Sequence, residues 1–366
     1  ATFRSDSDLS DGRRPDAVFF SNPKEDANRR DFTINGMFYD PVNKEVIDYV
    51  NGQEDLKKKV LRFIGDPDLR IREDYLRLLR AARFKFTFGF TYANTTFRAV
   101  RQSAHFVTKT SGERIRDELG KMFKACSQQN RTPDLVLQEL DHTGLLAEIL
   151  PEVTALQQTP QPAEYHAEGD VYVHTLRCLR ALHPKTDELV IWAVLLHDIG
   201  KPACMTREGN RLHFRGHEEK GVEIAEKILM RLRFRTTERE RVLWLIDHHM
   251  MLLAFGRMRE AKRRRWFMDP RFPDLLQVMY ADSVGTSPTD LTWYNDLVRL
   301  YEQERDEKLL MPPVPLLNGD DLMQEFNLSP GKEIGALLEM IHDAQIEGAV
   351  RTREEALEYI RAIQRK

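Results

Sequence analysis

Arg29-Arg30-Asp31-Phe32-Thr33-Ile34-Asn35-Gly36 is the stretch on which the reading of this 366-residue chain turns. It sets cations, a carboxylate and an amide around apolar side chains, then closes on a glycine, where backbone turns or comes close to something. Further along, Arg72-Glu73-Asp74-Tyr75-Leu76-Arg77-Leu78-Leu79-Arg80 reads as the start of a helix. Leu76, Leu79 and Ala82 share one face of it, and Arg77, Arg80 and Arg83 stack along another. Asp74 and Arg77 are three apart and so fall on one helix face. On spacing alone such a pair is a surface ion pair of small consequence. As a site, an acceptor carboxylate beside a forked donor offers an edge that can hydrogen-bond a nucleobase. Such an edge discriminates, because an unpaired buried donor or acceptor costs on the order of 1–3 kcal/mol.

Composition sets the frame. Hydrophobic residues are 41% and charged residues 31%, as in soluble globular proteins, and the length suits two or three domains. A formal charge of −3 announces no global field for nucleic acid, so any RNA contact has to come from local basic patches. The densest is Arg257-Met258-Arg259 with Lys262-Arg263-Arg264-Arg265-Trp266, which is either a solvated helical face or a phosphate-contacting one. Cys126, Cys178 and Cys204 form no CxxC pair, which argues for reduced thiols, a cytoplasmic setting, and neither a disulfide frame nor a cysteine zinc site. No apolar run approaches the roughly 20 residues that cross a bilayer, so no membrane partner is expected.

The order of elements predicts a mainly α fold. Only residues 1 to about 50 lean to strand, through Ala17-Val18-Phe19-Phe20 and Glu45-Val46-Ile47-Asp48-Tyr49-Val50. Between Phe3 and Val18 runs a polar loop from Ser5 to Pro15, in which Arg13 and Arg14 could reach a phosphate. From about 53 the pattern is helical throughout. Thr110 with Glu113 fits a capping box, followed by an apolar stripe of Ile115, Leu119, Met122 and Phe123. Pro151, Pro160, Pro162 and Gly169 interrupt the helices, which resume near Val173. Met311-Pro312-Pro313-Val314-Pro315 precedes a last helical unit from about 319. The expected division is 1–52, 53–150, 151–310 and 311–366.

Taken together, Arg29-Arg30-Asp31-Phe32-Thr33-Ile34-Asn35 and Glu73-Asp74-Tyr75-Leu76-Arg77 closely resemble the class II tRNA nucleotidyltransferases and bacterial poly(A) polymerases. Thr2-Phe3-Arg4-Ser5-Asp6, Asp11-Gly12-Arg13-Arg14-Pro15, Asp48-Tyr49-Val50-Asn51-Gly52 and Ser111-Gly112-Glu113-Arg114-Ile115 fit the same family. The resemblance implies a remnant of a small β-containing head, a helical neck and body, and template-independent addition of C and A to tRNA 3′ ends from CTP and ATP. Poly(A) synthesis is the alternative, and the motifs do not separate CCA addition from addition of CC or A alone. Arg30 and Asp31 are then expected at the phosphates and ribose, supported by Asn35. Asp74 and Arg77 are expected at the base edge, with Arg80 nearby, Arg114 and Glu113 in the neck, and a loop from Asp8 to Pro15 that moves. The family uses Mg2+ held by carboxylates that precede the Thr2-Phe3-Arg4 strand. The 366-residue chain is therefore expected to lack them, to bind nucleotide weakly and not to extend RNA unless an N-terminal polypeptide completes it.

A second chemistry lies further on. Val190-Ile191-Trp192-Ala193-Val194-Leu195-Leu196 ends in His197-Asp198-Ile199-Gly200-Lys201-Pro202, an apolar helix delivering adjacent imidazole and carboxylate. With His174 before it and His217, His249 and Asp282 after, the set resembles the HD phosphohydrolase domain, expected to be all-helical. The resemblance implies His174, His197, Asp198 and Asp282 as ligands of a divalent metal of unspecified identity. His217 and His249 are candidates for a second metal or a phosphate, His249 being preferred to its neighbour His248. Phosphatase and 2′,3′-cyclic phosphodiesterase action on RNA ends is implied, with His197 and Asp198 catalytic. A metal-dependent phosphohydrolase whose nucleotidyltransferase remnant merely binds RNA is the reading from a different class.

Overall fold

The computed structural model describes residues 22–162, 169–209, 211–306 and 314–364, and 4–6 and 18–20 as backbone strands. The Asp8–Pro15 loop, with Arg13 and Arg14, lies outside the described residues. No helix among them is long and apolar enough to cross a membrane. The fold is mainly α, as expected. Its contacts divide it into two compact units, residues 1–247 with 281–289 and residues 248–280 with 290–366.

In the first unit the opening strands, Arg4–Asp6 and Val18–Phe20, pair antiparallel. Met37–Asp40 and Glu45–Asp48 form a hairpin, in which the Asp40 carboxylate accepts the Val42 and Asn43 amides at 2.8 and 3.2 Å. The strand Met37–Asp40 had no sequence signal of its own, since it starts directly after Gly36. Two expectations of unbroken helix fail in small ways. Val60–Leu61 pairs parallel with Thr91–Tyr92, and Thr206–Glu208 pairs antiparallel with Arg211–His213, a hairpin inside the segment expected to be all-helical. Gly209, with φ of 61°, supplies the left-handed turn residue that this hairpin needs.

The helix expected to start at Arg72 is in fact two. Pro67–Glu73 ends at Asp74, which is extended (φ −155°, ψ 107°), and Arg77–Phe88 follows. The cause is local: the Asp74 carboxylate accepts the Leu76 amide at 3.0 Å, a side-chain turn that competes with helix continuation. Asp74 and Arg77 therefore do not share a helix face. The second helix keeps its expected apolar side, with Leu76, Leu78, Leu79, Ala81 and Ala82 buried. Opposite them lie Ile115, Leu119, Met122 and Phe123 of the helix Gly112–Gln128, also buried. The Thr110–Glu113 capping box does not form. Ser111 is the N-cap residue, without a side-chain cap bond, and Thr110 Oγ1 is buried with no hydrogen-bond partner. Tertiary packing fixes this helix start instead, because a Cβ on Gly112 would lie 1.9 Å from the Arg231 carbonyl oxygen.

Pro151 does not break the chain but occupies the first turn of the short helix Pro151–Thr154. The helix Val171–Ala181 then starts on an Asp170 cap. The helix Glu188–Leu196, capped by Asp187, is apolar on every side and accordingly central. Trp192 meets Phe123 and Phe234 edge-on, with ring centroids 6.0 and 5.3 Å away.

The second unit has its own cores. Phe255, Phe267, Phe272 and Tyr301 form an aromatic cluster with centroid separations of 4.9–6.3 Å. Leu317, Leu322, Ile334, Leu337, Ile341, Ala344 and Ile360 pack between the helices Gly319–Phe326, Lys332–Ile346 and Arg353–Gln364. The helix Phe272–Gly285 begins in the second unit and ends in the first.

Packing around two glycines and the Asp31 ion pair each set a stability prediction. A Cβ on Gly52 would sit 2.2 Å from the Thr33 carbonyl oxygen, whereas one on Gly335 meets nothing within 4 Å. Gly52→Ala should lower the thermal midpoint by the equivalent of roughly 1–3 kcal/mol. Gly335→Ala, in a helix interior, should be stabilising by up to about 1 kcal/mol; equal midpoints for the two variants contradict the packing argument. The second concerns acid. Burial would raise the Asp31 carboxyl, but the Arg80 guanidinium and Asn35 amide outweigh it and hold it below its ordinary 3.8. Its stabilisation is thus present above 3.8 and is lost as pH falls through the lower folded value. Asp31→Asn should flatten the acid limb of a stability-against-pH curve, and an unaltered limb counts against the ion pair.

Candidate functional site

The stretch Arg29–Gly36 is fixed at both ends of its chemistry. Phe32, fully buried, stacks on Phe63 at 4.8 Å and leans on Phe84 at 5.3 Å, so the residues around it are held against the core. Asp31 turns the other way. Its carboxylate takes Arg80 Nε at 2.5 Å and Asn35 Nδ2 at 2.7 Å. Asn35 in turn accepts the Phe32 amide at 3.2 Å, closing a one-turn 3-10 helix over Thr33–Asn35. Arg29 and Arg30 are both braced by Asp26, a buried carboxylate at 2.6 and 2.9 Å that the sequence reading passed over. Its spacing of three and four residues from the arginines was the available signal.

Arg29, Arg30, Asp31, Asn35, Asp74, Leu76, Arg77, Arg80 and Arg114 together line a cavity of about 390 Å³. Every expected nucleotide residue is brought to it, while Glu113 is not among the lining residues. Within it Asp74 pairs with Arg114 rather than Arg77, in a two-pronged contact at 3.1 and 2.8 Å. Arg77 reaches Glu73 at 2.5 Å and the carbonyls of Arg70 and Arg29 at 2.8 and 3.2 Å. The pocket is strongly cationic with two fixed carboxylates, which suits a polyanion carrying a hydrogen-bonding head.

A second cluster forms where the helix Val171–Ala181, the end of Glu188–Leu196 and the end of Phe272–Gly285 meet within the first unit. His174 Nε2 is 3.0 Å from Asp282 Oδ1 and 3.4 Å from His197 Nε2. Asp198 Oδ2 is 3.2 Å from His197 Nε2 and 3.6 Å from His174 Nε2. The four expected ligands thus converge. His197 Nδ1 lies 2.7 Å from the Val194 carbonyl oxygen, a contact that orients Nε2 toward the cluster. Burial works against the imidazolium, but Asp198 and Asp282 prevail and push His197 up to about 10. Asp198 and Asp282 are held well below the carboxylate range, against burial, by the neighbouring imidazoles and, at Asp198, Lys201. Two carboxylates and the imidazoles converging at these distances offer donors that a divalent cation can take in place of the proton on His197.

His217 Nε2 is 3.4 Å from Asp198 Oδ1, so it joins this cluster. His249 is buried at the start of the 3-10 turn His249–Met251 in the second unit, and His248 packs its ring 5.0 Å from Trp266. Three participants were missed. Lys201 Nζ bridges Asp198 Oδ2 at 2.7 Å and Gln161 Oε1 at 2.8 Å. Cys178 Sγ is 3.3 Å from His174 Nε2, and the donor atoms of His174, Cys178, His197 and Asp282 all lie within 4.8 Å of one another. The absence of a CxxC pair argued against a cysteine in a metal site, but the fold gathers this thiol and His174 from one helix and His197 and Asp282 from two others. The donor set and its closeness fit a divalent transition metal.

The basic run is a different matter. Arg263 and Arg264, 18% and 13% exposed, pair with the buried Glu304 at 3.0 and 3.4 Å, and Arg264 also donates to the Ile346 carbonyl at 2.8 Å. Arg265 pairs with Glu339 at 2.7 Å and Asp343 at 3.2 Å. Arg257, Arg259 and Lys262 of the same patch are exposed as a solvated face would be, while these three arginines are engaged by carboxylates. A buried carboxylate requires a counter-charge, and these arginines supply it.

Known proteins place the chain. The family description "Poly A polymerase head domain" matches residues 1–62, "Probable RNA and SrmB-binding site of polymerase A" matches 89–157, "HD domain" matches 171–284, and a tRNA nucleotidyltransferase domain matches 313–360. The A-adding tRNA nucleotidyltransferase of Deinococcus radiodurans is 34% identical over 358 residues, with 93% of this chain and 79% of that protein covered. The CC-adding tRNA nucleotidyltransferase of Thermus thermophilus is 31% identical, with 92% and 76% covered. Among solved structures, the Bacillus stearothermophilus CCA-adding enzyme in complex with CTP shares the fold, with a TM-score of 0.63 at 20% identity over 100% of this chain and 79% of that one. The Thermotoga maritima CCA-adding enzyme complexed with tRNA does so with a TM-score of 0.55 at 21% identity, over 93% and 74%. With its head, RNA-binding and HD segments matched in order, this chain belongs to the tRNA nucleotidyltransferase and poly(A) polymerase family with an HD domain.

Proposed function

We propose that the protein adds C and A to the 3′ ends of tRNA from CTP and ATP, holding the nucleotide in the arginine-lined cavity. The observation that carries this reading is the Asp74–Arg114 pair in that cavity. A carboxylate only accepts hydrogen bonds, and the exocyclic amines of cytosine and adenine donate at the edge where uracil and guanine present a carbonyl. An Asp74 held in place by Arg114 therefore favours the two amino bases, with Arg77 donating to the adjacent ring nitrogen and Arg29, Arg30 and Arg80 near the triphosphate. Magnesium, where bound, would supply neutralisation of the triphosphate and activation of the attacking hydroxyl. On this reading residues 1–52 hold phosphate and ribose, 53–150 read the base and approach the RNA, 151–310 carry the HD centre, and 311–366 form the helical tail. Addition of A alone or of CC alone, as the names of the relatives from Deinococcus and Thermus describe for those proteins, is separated from full CCA addition by sequencing the products.

Equilibrium binding tests the base-reading role without requiring turnover. Wild type should prefer CTP to UTP, and Asp74→Ala should reduce that preference by about tenfold or more, the equivalent of one lost buried hydrogen bond. An unchanged CTP to UTP ratio in the variant removes Asp74 from base selection.

The buried His174, His197 and Asp198, with the partly exposed Asp282, support a second activity, hydrolysis of phosphate and 2′,3′-cyclic phosphate at RNA ends. These residues would hold a divalent metal, which would supply polarisation of a phosphoryl oxygen and a water of lowered pKa. Lys201, ion-paired with Asp198 and hydrogen-bonded to Gln161, holds the Asp198 carboxylate in one orientation. Asp198→Ala should lower both metal content and hydrolysis of a 2′,3′-cyclic nucleotide, the latter by about 10²-fold or more. Full metal content with full hydrolysis in that variant contradicts the assignment.

A further inference from the structure

Cys178 is fully buried, four residues after His174 on the same helix face. A buried free cysteine ordinarily behaves as a small hydrophobe among apolar neighbours. The sulfur here faces two imidazole nitrogens and a carboxylate, and its 3.3 Å contact is to His174 Nε2, the same atom that faces Asp282 and His197. Room for it is built into a second helix. Gly285 stands three residues after Asp282, and a Cβ there would lie 2.3 Å from the Cys178 sulfur and 3.2 Å from His174 Cε1.

The spacing matches a coordination sphere. Metal–nitrogen bonds of about 2.0–2.1 Å and a metal–sulfur bond of about 2.3 Å at tetrahedral angles put two nitrogens about 3.4 Å apart, and nitrogen and sulfur about 3.5 Å apart. The observed separations are 3.4 Å for His174 and His197, and 3.3 Å for His174 and Cys178. The Asp282 oxygen stands 3.0 and 3.7 Å from the two imidazole nitrogens, around the same centre.

We propose that Cys178 is a thiolate ligand of the HD metal centre, with His174, His197 and Asp282, and that this mixed sulfur, nitrogen and oxygen set selects a thiophilic divalent ion such as Zn2+ or Co2+ over Mg2+. Asp198, engaged by Lys201, sits at the edge of this set, where it can supply a fifth ligand. A hard cation of near-octahedral demand gains little from a thiolate, whereas zinc and cobalt gain a strong bond. The two chemistries of the chain are then separated by metal as well as by position. The inference rests on the reading of this cluster as a metal centre, and the test keeps the two apart.

Protein stripped of metal is titrated with Co2+, and bound cobalt is counted by elemental analysis. Wild type should bind cobalt and develop an intense near-ultraviolet sulfur-to-cobalt charge-transfer band beside the weaker visible bands. Cys178→Ser should keep its circular dichroism, lose the near-ultraviolet band and bind cobalt at least tenfold more weakly. Gly285→Ala, which displaces the sulfur while leaving all three other ligands in the sequence, should weaken the same band. X-ray absorption at the metal edge of the wild type, which needs no variant, should show a sulfur scatterer at about 2.3 Å. Stoichiometric cobalt without the band and without a sulfur scatterer overturns the role of Cys178 and leaves the metal centre standing. No cobalt bound at all overturns the metal centre itself. Excess Mg2+ that displaces the cobalt overturns the proposed selectivity.

Discussion

The first unit is organised by a carboxylate that cannot be buried alone. Asp31 lies at the edge of the core because its neighbour Phe32 is stacked inside it, and its charge is tolerable there only with Arg80 at 2.5 Å. That single contact joins residues 49 apart in sequence and seats the segment Arg29–Asn35 on the helix Arg77–Phe88. The same helix repeats the device with Arg83 on the buried Glu118, 2.5 Å away, tying it to the helix that carries Arg114. Three segments bearing the nucleotide residues are thereby set relative to one another by two ion pairs and the apolar layer between them.

The metal cluster answers to a different constraint. Its charged groups are among the most buried in the chain, so each must be satisfied by another, and small changes in one reach all of them. His197 and Asp198 arrive at the end of a helix with no polar face, and backbone carbonyls behind His197 and His217 fix the rings. The nucleotide pocket is open and cationic, and its carboxylates are steered by arginines. The metal cluster is largely buried, and its two carboxylates are balanced and steered by imidazole and one lysine. Two electrostatic designs coexist because they are built from different helices of one scaffold.

How much of this the sequence carries depends on range. Periodic apolar stripes such as Ile115–Phe123 and the continuous run Val190–Leu196 declare their helices, since the pattern is local and long. The HD histidines and the Arg30–Asn35 segment are recognisable because their spacing is a chemical signature. Failures cluster where a side chain overrules propensity or where distant segments meet. Asp74 ends a helix that its neighbours favour, and Gly112 sets a helix start through contact with Arg231, far away in sequence. Arg263, Arg264 and Arg265 read as a surface stripe until the fold delivers Glu304 and Asp343 to them. Cys178 was legible in principle, at i+4 from His174, but only the fold shows what else stands beside it.

The helix Glu188–Leu196 has a further consequence before folding is complete. Val190-Ile191-Trp192-Ala193-Val194 is rich in β-branched and aromatic side chains, carries no charge and contains neither proline nor glycine. In an extended chain those are the features of a segment that pairs with copies of itself. Asp187 and Glu188 stand on one side of it and His197 and Asp198 on the other. These charges flank the run and oppose stacking of identical strands, so the pair that anchors the metal cluster in the folded protein also guards the nascent chain against aggregation.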